Sequence, residues 1–237
     1  MIGHNNPLNK IRGGLVVSCQ ALPEEPLYSS SIMAKMASAA MHGGAVGIRA
    51  NTVDDIRAIQ REVALPVIGI IKSVSSDSAV YITPTMKEAD ALVEIGADII
   101  AADATNRARP GGVTLERFFA PLRKKYPRIV FMADCATLED ALRARELGFD
   151  CIGSTLRGYT EETQGIKLPD LDFIRTLVSR LDLPVIAEGG IWTPEQLVNV
   201  FEAGVWAAVV GSAITRPMEI TRRYIQALEQ WKDRFPL

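Results

Sequence analysis

Histidine and cysteine are scarce in this chain, with two histidines, His4 and His42, and three cysteines, Cys19, Cys135 and Cys151, in 237 residues. So few imidazoles leave almost no scope for a histidine-built zinc site, and no metal centre is expected. The cysteines fall in apolar, strand-like runs without C-x-x-C spacing, which predicts buried reduced thiols rather than disulfides or metal ligands. No apolar run reaches the roughly 18 residues that a membrane span needs. Residues 1–6 also lack the apolar region of a secretory signal. Charge of one sign is missing too: 26 Lys+Arg against 28 Asp+Glu leave a formal charge of −2. No global basic field argues for nucleic acid, so any anion must be bound locally. The expectation is a cytoplasmic globular protein that partners neither membrane nor nucleic acid.

What is present is a repeating pattern. Gly43-Gly44-Ala45-Val46-Gly47-Ile48, Gly96-Ala97-Asp98-Ile99-Ile100, Gly148-Phe149-Asp150-Cys151-Ile152-Gly153 and Gly204-Val205-Trp206-Ala207-Ala208-Val209-Val210-Gly211 each set glycine after a helical pattern and before an apolar run. Leu65-Pro66-Val67-Ile68-Gly69 and Leu183-Pro184-Val185-Ile186-Ala187 are nearly identical strand entries in opposite halves of the chain. Eight strands are predicted, over 15–19, 45–49, 67–72, 98–103, 128–134, 151–155, 184–188 and 206–211. Between them, residues 52–63, 86–95, 137–147 and 193–203 carry apolar residues at helical spacing, with Thr or Asp near several starts as caps. Strand and helix alternating eight times is the pattern of a TIM (β/α)8 barrel, here a single domain over residues 1–237. The alternative, a doubly wound open sheet, usually opens on a glycine-rich dinucleotide turn, and Ser18-Cys19-Gln20-Ala21-Leu22 has none.

In such a barrel, function lies at the carboxyl ends of the strands. Read in order, these ends are Gln20, Arg49, Lys72, Asp103, Asp134, Thr155, Glu188 and Ser212. Lys72 and Glu188 close the third and seventh strands, which face each other across a barrel of eight. Alternation sets Lys72 in phase with Ile70 and Ile68, and Glu188 in phase with Ile186, so both side chains are expected inside the mouth. One titratable group on each side of a small substrate is what inversion at a carbon acid requires. Lysine acts as a base only if burial or a cation such as Arg49 lowers its pKa from about 10.4. The bland alternative is a Lys72–Glu188 salt bridge across the mouth with no chemistry.

Gly189-Gly190 and Gly211-Ser212 supply free backbone amides after strands seven and eight, where barrel enzymes often hold a phosphate, and Arg216 adds a charge. Residues 158–165 form a polar, glycine-bounded loop long enough to close over a ligand. Met33, Met36 and Met41 read as packing residues, and Arg107-Ala108-Arg109-Pro110 as an anchor for the loop after strand four.

The ordered set Ser18-Cys19-Gln20-Ala21-Leu22-Pro23, Gly47-Ile48-Arg49-Ala50-Asn51, Gly69-Ile70-Ile71-Lys72, Asp103-Ala104-Thr105, Met132-Ala133-Asp134, Ala187-Glu188-Gly189 and Gly211-Ser212-Ala213-Ile214-Thr215-Arg216-Pro217 resembles the N-acetylmannosamine-6-phosphate 2-epimerases over nearly the whole chain. The resemblance implies a TIM barrel that interconverts N-acetylmannosamine 6-phosphate and N-acetylglucosamine 6-phosphate in amino-sugar catabolism, without an organic cofactor and as a homodimer. It implies Lys72 and Glu188 as the proton-transfer pair, Gln20, Arg49 and Asp134 as holders of the open-chain sugar, and Arg216 with the glycine amides as the phosphate site. Where the family pattern often places a basic residue after Ala-Glu-Gly, this chain has Gly190. Two other readings stay open: a Schiff-base aldolase with Lys72 as nucleophile, and a phosphosugar-binding barrel without turnover.

Overall fold

The structure is a computed structural model that describes residues 6–235. His4 lies outside the described residues. The strands are β1 (Leu15–Cys19), β2 (Gly47–Asn51), β3 (Val67–Ile70), β4 (Ile99–Asp103), β5 (Val130–Asp134), β6 (Cys151–Gly153), β7 (Val185–Glu188) and β8 (Ala207–Val210). All pair in parallel in sequence order, and β1 pairs with β8 to close the barrel. The helices before and between them are α1 (Pro7–Ile11), α2 (Ser30–His42), α3 (Val53–Glu62), α4 (Met86–Glu94), α5 (Leu115–Lys125), α6 (Leu138–Leu147), α7 (Leu171–Arg180) and α8 (Pro194–Glu202). A short α9 (Ser212–Thr215) and a long α10 (Pro217–Arg234) follow β8.

Threonine starts several of these helices for a local reason. The hydroxyls of Thr52, Thr137 and Thr193 accept from the third amide of α3, α6 and α8, and Glu88, Asp140 and Gln196 reach back to the cap amides of α4, α6 and α8. These contacts satisfy amides that have no partner within the helix.

Burial is organised in two shells. The outer one lies between strands and helices and contains Ile48, Ile56, Phe119, Phe131, Ile152 and Leu177; Met33 is buried in it, with Met36 and Met41 packed alongside. The inner one fills the barrel with Val16, Ile68, Ile99, Val130, Met132, Cys151, Ile186 and Val209. Leu8 and Ile11 of α1 join this inner shell, so the amino-terminal segment plugs the barrel floor. The Trp206 indole donates to the Leu8 carbonyl at 2.7 Å and fixes the plug. All three cysteines are free and buried.

Several features depart from the expected pattern: the third strand ends at Ile70 and the sixth at Gly153, each two residues short of the expected 72 and 155. The second strand runs 47–51 rather than 45–49, so Arg49 sits at its middle and not at its end. The last long helix, α10, buries none of its residues, whereas α2 through α8 each bury at least one. Among the described residues no helix is long and apolar enough to cross a membrane.

Candidate active site

Pleat alternation aims every second residue of each strand into the barrel, and toward the carboxyl ends this inward row turns polar. Arg49 follows Gly47 on β2, Asp134 follows Met132 on β5, and Glu188 follows Ile186 on β7. The three meet inside. Arg49 grips both Asp134 oxygens at 3.1 and 2.6 Å, and its Nη1 reaches Glu188 Oε2 at 2.9 Å. Thr155 Oγ1 donates to Asp134 Oδ1 at 2.6 Å and lies 3.4 Å from Glu188 Oε2. Gly153 makes this possible, because a Cβ there would sit 2.4 Å from the Met132 methyl, 2.9 Å from Thr155 Oγ1 and 3.1 Å from Asp134 Oδ1.

Above this layer opens a cavity of about 240 Å³ lined by Gln20, Arg49, Lys72, Thr155, Glu188 and Arg216, with Gly189, Gly190, Gly211 and Ser212 in its rim. The volume fits a small metabolite and is below the range of roughly 300–1,000 Å³ occupied by drug-sized ligands. Lys72 lies two residues beyond β3. Its backbone is fixed by donation to Asn51 Oδ1 at 2.8 Å and by a bridge to Ile82. The Gln20 amide donates to Ser18 Oγ at 2.8 Å, while its Oε1 is buried with no partner among the described residues.

The electrostatics follow from burial. Desolvation, with the nearby Arg49 cation, lowers the Lys72 pKa against the opposing pull of Glu188. Desolvation raises the Glu188 carboxyl from 4.5 to about 7, with Asp134 adding to the rise while Arg49 and Lys72 oppose it. Burial alone would lower the Arg49 pKa, but Asp134 and Glu188 more than offset it and keep the guanidinium charged. The pair therefore converges from both sides toward neutrality.

The structure brings together ten of the eleven residues singled out from the sequence and sets Asp134 apart. Asp134 is fully buried beneath Arg49 and Thr155, is absent from the cavity wall and holds Arg49. Lys72 makes no ion pair among the described residues, and Glu188 pairs with Arg49; the bridging Lys72–Glu188 salt bridge is replaced by this interaction. Arg216 reaches the cavity but spends part of its charge on Glu25, with Nε at 2.8 Å and Nη2 at 2.5 Å from Oε1. At Gly190, φ is +70° and a Cβ would fall 2.2 Å from Leu168 Cβ and 2.9 Å from the Leu168 carbonyl carbon. No side chain, basic or otherwise, fits there. Arg109 and Arg107 anchor the loop after β4 as expected: Arg109 donates to the carbonyls of Thr83, Pro84 and Asp103, and Arg107 to the Asp103 carboxylate.

Sequence reasoning missed Asn51, Tyr81, Glu25 and Ser154. Asn51 follows Arg49 in the inward row of β2 and was legible once the strand register was right. Ser154 Oγ both accepts from the Glu188 amide and donates to its carbonyl, clamping the backbone of β7 at 3.0 and 2.9 Å. Tyr81 and Glu25 come from loops and carried no periodic signal.

The family model described as "Putative N-acetylmannosamine-6-phosphate epimerase" matches residues 33–230. This chain belongs to that family. A relative from Caldanaerobacter subterraneus subsp. tengcongensis named "Putative N-acetylmannosamine-6-phosphate 2-epimerase" is 52% identical over 223 residues, 94% of each chain. One of the same name from Borreliella burgdorferi is 54% identical over 226 residues, 94% of this chain and 97% of its own. Among solved structures, the N-acetylmannosamine-6-phosphate 2-epimerase from Clostridium perfringens superposes with a TM-score of 0.90 at 45% identity, covering 95% of this chain and 97% of that one. A thiamine phosphate pyrophosphorylase from Pyrococcus furiosus, at 20% identity and a TM-score of 0.61 over 89% of this chain and 90% of its own, shares the fold alone. The epimerase family thus carries its site on a barrel scaffold that also occurs with unrelated sequence.

Proposed function

We propose that this chain interconverts N-acetylmannosamine 6-phosphate and N-acetylglucosamine 6-phosphate by inverting carbon 2. The reading rests on one observation above all: two titratable groups on opposite strands, Lys72 and Glu188, share one small cavity with their pKa values displaced toward each other. In the open-chain sugar the aldehyde acidifies the proton on carbon 2. Neutral Lys72 Nζ takes that proton from one face, giving an enolate. Protonated Glu188 returns a proton to the opposite face, and the reverse reaction exchanges the roles. Arg49, held in place by Asp134, sets a fixed positive charge in the cavity wall where the enolate charge develops.

Gln20, with its unpartnered Oε1, and Thr155 face the sugar. The amides of Gly189, Gly190, Gly211 and Ser212 donate no hydrogen bond among the described residues and gather at one rim of the cavity, where the 6-phosphate is placed. Arg216 adds charge there, tempered by Glu25. A phosphate fixed at this distance from the reacting carbon holds the enolate in register between deprotonation and reprotonation. The reaction as drawn needs no organic cofactor. A phosphorylated sugar does not cross bilayers, which assigns the enzyme to the cytoplasm.

A homodimer is part of the same reading. Tyr224, Leu228 and Trp231 of α10, with Phe235 just after it, recur every three or four residues and all stand exposed, so this segment carries an apolar stripe with no surface of its own barrel to cover it. A second copy of the chain supplies that surface.

The deciding experiment is a proton NMR time course of N-acetylmannosamine 6-phosphate with the protein in deuterium oxide. The expected result is the gluco epimer with deuterium at carbon 2. Carbon–carbon cleavage, with borohydride trapping of substrate on Lys72, would move the assignment to a Schiff-base aldolase. An unchanged spectrum despite binding would leave a phosphosugar-binding barrel.

A further inference from the structure

Thr155 stands between the two carboxyl groups of the site, and a hydroxyl has one hydrogen to give. Its Oγ1 is 2.6 Å from Asp134 Oδ1 and 3.4 Å from Glu188 Oε2. Asp134 is gripped at both oxygens by Arg49, which holds it as a carboxylate with no proton to offer. A Thr155 hydrogen given to Glu188 over the longer contact would favour its carboxylate, but the single hydrogen goes to the shorter contact, 2.6 Å against 3.4 Å, the one to Asp134. What Thr155 turns toward Glu188 is an oxygen lone pair.

A carboxylate facing that lone pair is repelled by it, whereas a carboxylic acid donates to it. We propose that Thr155 is a positioning residue which, with its hydrogen committed to Asp134, presents only an acceptor to Glu188 and so favours the protonated carboxyl that reprotonates the substrate. The inference rests on the assignment of Glu188 as the acid of the epimerisation, and it gives Thr155 a part beyond substrate contact.

The other groups facing Glu188 define what Thr155 works against. Arg49 Nη1 from β2, at 2.9 Å from the same Oε2, and Lys72 from beyond β3 both favour the carboxylate. Asp134 from β5 opposes ionisation, and Tyr159 from the loop after β6 lines the same cavity. Ser154 touches Glu188 only at its backbone. Packing leaves the arrangement little freedom, since Gly153 is the one residue type that admits both Thr155 Oγ1 and Asp134 Oδ1 beside it.

The test is a carbon-13 NMR titration of the ligand-free protein labelled at glutamate Cδ, with the Glu188 resonance assigned by its loss in Glu188→Gln. Thr155→Val keeps the shape and removes the hydroxyl. It is expected to lower the Glu188 midpoint by about half a unit to one unit, the size of one neutral hydrogen bond. Thr155→Ser is expected to restore it, and Thr155→Ala repeats the measurement should the valine variant fail to fold. A midpoint that rises in the hydroxyl-free variants would mean that Thr155 donates to Glu188; one that stays put would mean that it only packs. Either result overturns the proposal. Because the titration uses no substrate, its failure would overturn the part given to Thr155 and leave the epimerase reading standing, whereas failure of the deuterium-exchange experiment would remove the reaction that part serves.

Discussion

The two ends of the barrel interior are built from the same strands and the same alternation, yet they obey opposite rules. At the floor the inward residues are Val16, Ile68, Ile99, Val130, Cys151, Ile186 and Ala207, sealed from below by Leu8 and Ile11. One or two pleats toward the mouth, the same rows carry Ser18, Arg49, Asp103, Asp134 and Glu188. Burying the floor residues is favourable by about 1.5–3 kcal/mol per large side chain. Burying the mouth residues is costly unless each charge is paired, and Arg49 with Asp134 is a fully buried pair whose removal in part leaves an uncompensated charge. The contrast teaches that depth along a strand, and not the strand, separates what holds this molecule together from what it does.

Four substitutions would break or sharpen that contrast. Glu188→Gln is expected to cut the carbon-2 exchange rate by about 10²–10⁴-fold while the far-ultraviolet circular dichroism is unchanged, since it removes the proton and leaves the floor alone. A loss of fold in step with activity would erase the distinction between the two ends. Asp134→Asn is expected to cost about 3–5 kcal/mol in urea denaturation, because it strips a buried guanidinium of its carboxylate. It would also lower kcat by loosening Arg49. Leu8→Ala is the mirror experiment: about 2–5 kcal/mol of stability lost at the floor with KM and kcat retained below the new melting point. Gly190→Ala is smaller, about 1–3 kcal/mol, set by the +70° φ and the collision with Leu168.

The finest effect is in pH dependence. Glu188 titrates near 7 in the fold against an ordinary 4.5, so its ionisation opposes folding. That cost is absent below about 4.5, grows as pH rises toward 7 and is complete above it. Glu188→Gln lacks it. The melting temperature of the variant relative to the parent protein should therefore climb between pH 4.5 and 8 in scanning calorimetry, and a flat difference would mean that burial does not press on this carboxyl.

Much of this was legible beforehand, and particular residues show why. Glycine before several of the apolar runs and threonine before several of the helices are local signals, so the alternation of strand and helix was readable at once. The phase of Glu188 with Ile186 needed only the period of two. The register of β2 failed because Ala45 and Val46 extend its apolar run upstream while pairing to β1 starts only at Gly47. That slip hid Asn51 and set Arg49 at a strand end. The choice between Lys72 and Arg49 as the partner of Glu188 was out of reach, since it depends on which cation shares its layer.

The sequence by itself therefore determined the barrel, the carboxyl-end location of the site and the family, because each is written in short-range pattern or in an ordered series of motifs. The tertiary structure alone decided that Asp134 lies beneath Arg49 and grips it, that Leu168 forbids a side chain at residue 190, that Glu25 shares Arg216, and that α10 buries none of its residues. Each of these turns on distances between residues far apart in the chain, and such distances exist only once the barrel has closed.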